Sequence, residues 1–156
     1  MKIFKSLFPD DARVYQGSKI AFYGLILFTC LLIWRSTVHW LFWEFGLHTI
    51  ANVVPIEGDP DPMRLIYMFF SVWGLEQVIR TFLVIVVLVK YRGLIPLILL
   101  VCSLEWWIRI LHRYLDYFPS LDAQYTDGVT PGVVGAPFLG VILLMLFILS
   151  LRSKND

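Results

Sequence analysis

Two similar phrases place a glutamate and an arginine four residues apart inside long apolar segments of the chain. The first contains Glu76 and Arg80, and the second contains Glu105 and Arg109. An ionisable side chain in an apolar, membrane-spanning helix is costly, so it faces the interior of the helix bundle and has a partner there. These four charges are therefore the first candidates for chemistry, ligand binding or helix association.

A short turn at residues 90–93 joins the two segments, which predicts an antiparallel helical hairpin. With the turn centred there, Glu76 lies close to Arg109 across the hairpin, and Glu105 lies close to Arg80, each offset by about 3 Å of helix rise. Each helix also offers its own i, i+4 pair. Two glutamates and two arginines make a neutral cluster, which is the physical reason that it can exist near the middle of a bilayer.

The polar face of the second phrase continues along its helix. His112 and Asp116 follow Glu105 and Arg109 at steps of three and four residues, so all four lie on one helical stripe. The pattern predicts a bundle that is polar in its outer half, with a cavity open to the outside. The residues predicted to line that cavity are Trp73, Trp107, Arg113 and His39.

Two classes of function are compatible with this cluster. In the first, the ion pairs fix the register of packed helices, and the protein is a non-enzymatic membrane subunit or scaffold. In the second, the cavity binds or converts a small amphiphile such as a lipid, a sterol-like molecule or a quinone. Glu76 or Glu105 would then act as acid or base, assisted by His112. The two arginines favour ionised glutamates, which argues against a general acid and favours the first class.

The sequence predicts neither a cofactor site nor a metal site. His39 and His112 lie on separate segments and resemble a pair of axial haem ligands. Neither lies in a groove of small residues that admits a porphyrin, so haem is not expected. The connector at residues 46–62 carries three carboxylates within five residues, but without the spacing of an EF-hand, and it is predicted to be a solvated loop.

The composition places these residues in a membrane protein. Of the 156 residues, 58% are apolar, well above the roughly 45–50% of soluble domains. Four apolar segments are long enough to cross a bilayer, which takes about 20 residues. The sequence therefore predicts an all-α integral membrane protein, a single domain over residues 1–156 that forms a four-transmembrane-helix bundle. The spans are predicted at residues 20–42, 63–89, 94–118 and 134–151.

The sequence makes three further predictions, for Arg35, for the fourth span and for the N-terminal segment. Arg35 lies beside the tryptophans of a predicted aromatic belt. Its guanidinium either snorkels to that interface, which is the favoured alternative, or points inward. The fourth span has no charged residue, so it is predicted to pack through Gly135 and Gly140. The first residues of the chain are predicted to form a short amphipathic segment on the membrane surface.

Basic residues predict the orientation of the spans. The N-terminal segment, the turn at residues 90–93 and the C-terminus hold eight of the thirteen Lys and Arg residues, as four, two and two. Both termini are therefore predicted to be cytoplasmic. The net charge of +1 predicts no nucleic-acid partner. The predicted partners are membrane lipids and other membrane chains, including copies of this one.

A resemblance covers most of the chain. Residues 61–64, the helix around Glu76, the turn at residues 91–93, residues 107–109 and the apolar fourth span together resemble small four-helix proteins of the bacterial inner membrane. The resemblance implies the four-helix architecture and an inner-membrane location, and it implies no activity. The chain is also similar, by analogy only, to sterol-isomerase-type membrane domains, which place carboxylates and tryptophans in a bundle core.

Overall fold

The computed structural model describes residues 2–115 and 122–152. Over these residues the protein is helical, and four of the helices are long and apolar enough to cross a membrane. Each begins and ends within a few residues of a predicted span. The last residues of the predicted third span, 116–118, lie outside the described part of the chain. The α-helices are α1 Lys2–Leu7, α2 Lys19–Leu41, α3 Met63–Lys90, α4 Ile95–Tyr114 and α5 Pro131–Ser150.

Local sequence signals explain where the long helices begin. The hydroxyl of Ser18 accepts a hydrogen bond from the backbone N–H of Ile20 at 3.2 Å and caps α2. Asp61 accepts a hydrogen bond from the backbone N–H of Met63 at 2.9 Å at the start of α3. A proline occupies the first turn of both α4 and α5, where its missing N–H costs no helical hydrogen bond.

The long helices carry large apolar side chains on their outward faces. Leu27 is 73% exposed on α2, Phe82 is 62% exposed on α3, and Phe138 is 68% exposed on α5. Exposed apolar surface on this scale indicates a membrane or protein environment around the bundle. The interior is also apolar, with Leu25, Ile95, Leu99, Leu143 and Val84 fully buried.

The helices pack in an order that differs from their order in the chain. α3 packs mainly on α2, α4 packs mainly on α5, and α2 also contacts α5. Gly74 makes the close approach of α2 and α3 possible, because a Cβ at this position would overlap the backbone of His39 and Trp40.

The predicted hairpin between α3 and α4 is formed by Tyr91 and the single turn Arg92–Leu94. The two helices nevertheless pack less closely on each other than on α2 and α5. Long side chains therefore make the contacts between α3 and α4 near their middles.

The connector between α2 and α3 and the connector between α4 and α5 are joined to each other, which the sequence did not predict. A π-helical turn, Phe45–Ile50, follows α2. Beyond it, Val53 and Thr126 form an isolated antiparallel β-bridge. The side-chain amide of Asn52 donates a hydrogen bond to the carbonyl of Val129 at 2.8 Å. These contacts tie the connector between α2 and α3 to the connector between α4 and α5.

The predicted packing of the fourth span is right for one glycine and wrong for the other. Gly140 is buried, and a Cβ there would lie 3.3 Å from Ile110 and 3.6 Å from the indole of Trp107, both on α4. Gly135 has no heavy atom within 4 Å of its Cβ position. Because Gly135 faces outward near the start of α5, it makes no helix contact.

The N-terminal segment docks on the turn between α3 and α4. The N–H of Gly93 donates a hydrogen bond to the carbonyl of Ala12 at 2.8 Å. The hydroxyl of Tyr15 donates to the carbonyl of Ser18 at 3.0 Å, and burial raises the pKa of Tyr15 to about 12. The predicted amphipathic segment at the N-terminus contains the helix α1, and its location on a membrane surface stays a prediction.

Candidate functional site

Glu105 is the centre of the charged cluster between α3 and α4. Its Oε1 atom accepts two hydrogen bonds from Arg109, one turn away on the same helix, at 3.0 Å from Nε and 2.6 Å from Nη2. Its other carboxylate oxygen lies against Arg80 of α3. The side chains of Arg80 and Glu105 are 20% and 22% exposed. The structure thus places Glu105 beside the two arginines expected to be near it.

Glu76 lies differently from the prediction. Its side chain is exposed on the outward face of α3, and within the described residues it has no ion pair. The predicted contact between Glu76 and Arg109 is therefore wrong. The reason is geometric, because α3 and α4 do not pack tightly and Arg109 is already bonded to Glu105.

Arg35 of α2 joins this cluster, which the sequence analysis missed. Its guanidinium carbon lies 5.2 Å from the ring centroid of Trp73 and 5.7 Å from that of Trp106. Arg109 contacts the same two rings, at 5.3 Å and 5.7 Å. The prediction that Arg35 snorkels outward is wrong, because its Nη1 atom is buried. Two guanidinium groups thus share two indoles, in cation–π geometry.

Buried polar groups hold Trp73 from its other side. The ring of His39 stacks on Trp73, with centroids 4.9 Å apart and ring planes 22° apart. Gln77, which is only 1% exposed, lies 3.0 Å from the Nδ1 atom of His39 through its side-chain nitrogen. His39 is among the site residues predicted from the sequence, whereas Gln77 is not. This support fixes the indole against which the arginines lie.

The unpartnered polar atoms of the cluster are mostly donors. Within the described residues, six buried side-chain nitrogen or oxygen atoms have no hydrogen-bond partner, and five of them carry N–H groups. A buried donor without an acceptor costs about 1–3 kcal/mol, and more when it is charged. Four of the donors belong to the cluster: Nη1 of Arg35, Nε and Nη2 of Arg80, and the indole nitrogen of Trp106. The fifth, the indole nitrogen of Trp107, lies near Gly140 of α5, and the sixth atom is Oε1 of Gln77.

The charge of the cluster also differs from the neutral one predicted. With Arg35 included, three arginines face two glutamates, so the formal charge is three minus two, or +1. A positive cluster with free N–H donors lacks an acceptor that carries negative charge. The free donors and the positive charge therefore both indicate that the site lacks a negatively charged hydrogen-bond acceptor.

A shallow, open apolar groove of about 330 Å³ lies on the face of α3 beside the cluster, and all six residues that line it belong to this helix. It opens on the side of α3, whereas the predicted cavity opened outward. Glu76 and Arg80 contribute its polar atoms. Its aliphatic lining consists of Val72, Leu75, Ile79 and Leu83.

The remaining predicted site residues are spread along α4. Trp107 packs near Gly140 of α5, His112 is half-buried, and Arg113 is exposed. Asp116 lies outside the described residues. Among the residues that the structure describes, no three His, Cys, Asp or Glu side chains come together as a metal site.

One signal in the sequence pointed to Arg35. Between residues 20 and 41 it is the only Lys, Arg, Asp or Glu, so its charge inside the span needed a partner as much as the four others did. No comparable signal distinguishes Trp106 from Trp107, because adjacent tryptophans on one helix differ only in the face that they present.

Comparisons with protein-family models, with curated proteins and with solved structures find no match for the chain. The arrangement of the residues themselves is therefore the basis for assigning a role to the site.

Proposed function

We propose that the protein is an integral membrane protein of a bacterial inner membrane that binds an anionic amphiphile between its helices. Both termini are cytoplasmic in this proposal. The head of the ligand lies against Arg35, Arg80 and Arg109. The observation that carries the proposal is the set of four buried N–H donors on Arg35, Arg80 and Trp106 that have no acceptor in the described residues.

The membrane setting strengthens the need for an anion. A net positive charge in the hydrocarbon layer costs several kcal/mol unless a partner neutralises it. Arg35 has no carboxylate within ion-pair distance in the described residues, although its two tryptophan neighbours provide partial compensation. A bound anion removes the excess charge and accepts hydrogen bonds from the free donors.

The groove beside α3 offers room for the apolar part of such a ligand. Arg80 belongs both to the charged cluster and to the wall of the groove. A molecule with a charged head and an aliphatic tail matches this combination, because the head contacts the arginines while the tail lies along Val72, Ile79 and Leu83.

Binding, and not conversion, is the proposed role. The carboxylate of Glu105 accepts hydrogen bonds from Arg109 and lies against Arg80. Both contacts occupy its carboxylate oxygens, and both orient the arginines. Glu105 therefore acts as a positioning residue for the guanidinium groups and not as an acid.

Native mass spectrometry of the detergent-purified chain tests this function with two anionic probes, oleate and dioleoylphosphatidylglycerol, and one zwitterionic probe, dioleoylphosphatidylcholine. At least one anionic probe should be retained preferentially. Arg35→Gln should reduce its retention, whereas Arg113→Gln, at an exposed arginine in the last turn of α4, should not. Equal retention of all three probes, or no effect of Arg35→Gln, would refute the proposal.

A second function, that of a membrane subunit or scaffold, is favoured by Glu76. This carboxylate is exposed near the middle of α3 between aliphatic side chains, where a basic side chain of another membrane chain would stabilise it. Glu76→Gln should then weaken self-association or co-purification with another membrane protein. An unchanged oligomeric state and unchanged co-purifying proteins would argue against this role.

A further inference from the structure

We infer that the ligand of this site is a single-chain amphiphile with one carboxylate, that is, a long-chain fatty-acid-type anion, which reaches Arg80 through the groove beside α3. The inference rests on the proposed function and narrows its ligand class. Three independent features of the cluster support it: its charge, its depth in the bundle and the free edge of one guanidinium group.

The charge of the cluster matches one carboxylate. Arg35, Arg80 and Arg109 carry three positive charges, and Glu76 and Glu105 carry two negative ones. A single negative charge makes the site neutral, which is the least costly state in a hydrocarbon layer. A phosphomonoester with two negative charges would leave an uncompensated negative charge at the same depth.

The free atoms of Arg80 match the shape of a carboxylate. Arg109 holds Glu105 through the edge of its guanidinium formed by Nε and Nη2. In Arg80 the corresponding two atoms are both buried and without a partner. Two parallel N–H groups on one guanidinium edge bind the two oxygens of a carboxylate together. Arg80 thus keeps without a partner the edge that Arg109 uses within the protein, and a ligand reaches this buried edge when the side chains that cover it move aside.

The depth of the site separates a fatty-acid-type anion from a phospholipid. At 1.5 Å per residue, Arg80 lies about 15 Å along α3 from Lys90 and about 25 Å from Met63. The hydrocarbon layer is about 30 Å thick, and phospholipid headgroups lie at its edges. A phospholipid would have to bring its glycerol and both ester groups deep into that layer. A single-chain carboxylate brings only its charged end.

The route to the site is lateral. The groove is open on the side of α3 and is lined by four aliphatic residues besides Glu76 and Arg80. At the outer end of the bundle, the two connectors are hydrogen-bonded to each other through Asn52 and Val129. Entry from the hydrocarbon layer therefore suits an aliphatic chain better than entry from water.

The experiment uses the full chain in nanodiscs of phosphatidylcholine with three probes: oleate, methyl oleate and dioleoylphosphatidylglycerol. Binding is followed by native mass spectrometry and by the midpoint of thermal unfolding. Oleate should bind and raise the midpoint, whereas methyl oleate, which has no charge, and the two-chain phospholipid should bind much less.

Two variants test the role of the guanidinium edge. Arg80→Lys keeps the positive charge beside Glu105 but loses the paired N–H groups, so it should fold and should weaken oleate binding by about tenfold. The matched control is Arg64→Lys, at an exposed arginine in the first turn of the same helix, which should bind oleate as the unchanged protein does.

The outcomes separate this inference from the proposed function. Preference for phosphatidylglycerol over oleate, or unchanged oleate binding in Arg80→Lys, would overturn the inference and leave the anionic-amphiphile function standing. Binding of methyl oleate as tight as that of oleate, or retention of neither anion, would overturn both.

Discussion

Glu105 is the residue on which the arrangement of the arginines depends. It accepts both hydrogen bonds from Arg109 and lies against Arg80, whereas Glu76 has no ion pair among the described residues. Two glutamates that are equivalent in sequence context therefore have different roles. The difference arises because the carboxylate of Glu105 lies between α3 and α4, whereas Glu76 is exposed in the groove on α3 beside Arg80.

The first prediction compares these two glutamates. Glu105→Gln leaves Arg80 and Arg109 without their carboxylate and should lower the free energy of unfolding by about 3 kcal/mol. Glu76→Gln should have a much smaller effect. Combining Glu105→Gln with Arg80→Gln should recover part of the loss, since one uncompensated charge disappears. Thermal aggregation in detergent measures the stability. Equal losses from the two single changes would contradict the assigned positions.

The second prediction concerns Tyr15, which lies outside the four long apolar helices. Its pKa is raised from 10.0 to about 12 by burial, so the unfolded chain loses the phenolic proton first as the pH rises. The contribution of the neutral phenol to stability is complete below pH 10 and is lost progressively as the pH rises toward 12. Tyr15→Phe should flatten the fall in unfolding midpoint over this window. The same slope in both proteins would show that the phenol does not contribute.

At the scale of elements, the packing of α2 on α3 positions the aromatic part of the site. Gly74 lies against the backbone of His39 and Trp40, and His39 in turn stacks on Trp73. The close approach of these two helices therefore sets the position of the indole that Arg35 and Arg109 share.

The third prediction uses two glycines as a matched pair. Gly74→Ala places a Cβ into the backbone of α2 and should destabilise the protein by about 1–3 kcal/mol. Gly135→Ala meets open space in α5 and should be neutral or stabilising by up to about 1 kcal/mol, because alanine favours a helix over glycine. Unfolding midpoints in detergent provide the comparison. A larger loss at position 135 than at position 74 would contradict the helix packing.

At the scale of the whole molecule, the order of packing decides where the site is open. Because α3 packs on α2 and α4 packs on α5, the contact between α3 and α4 is left to arginine, glutamate and tryptophan side chains. The connectors on either side of the hairpin α3–α4 are tied together by Asn52 and Thr130, which donate hydrogen bonds to the carbonyls of Val129 and Ala51. The described groove consequently opens on the side of α3.

The fourth prediction is the topology. Reporters fused to the N-terminus and to the C-terminus should both be cytoplasmic, because the basic residues concentrate there and at the turn between α3 and α4. A reporter inserted near Gly58 or Asp127, in the two outer connectors, should lie on the opposite side of the membrane. Alkaline phosphatase and green fluorescent protein fusions distinguish the two sides. A cytoplasmic signal at Gly58 would refute the four-span topology.

The sequence alone determined the helical architecture of this protein. Apolar runs of about 20 residues demand helices in a bilayer, and prolines, glycines and charges separate those runs. It also identified the charged residues of the two similar phrases, and it brought Glu105 and Arg80 to the same depth. These features depend on local composition and on helix geometry, and neither of these changes with the way in which a helix packs against its neighbours.

The tertiary structure decided which charges meet. Whether Glu76 reaches Arg109, whether Arg35 points inward, and which of Trp106 and Trp107 faces the arginines all depend on the rotation of each helix about its axis. That rotation is set by contacts between distant residues, such as Gly74 with the backbone of Trp40. The excess positive charge of the site follows from those contacts, and so does its proposed anionic ligand. The sequence could not predict them, because the periodicity of one helix contains no information on the rotation of another helix about its axis.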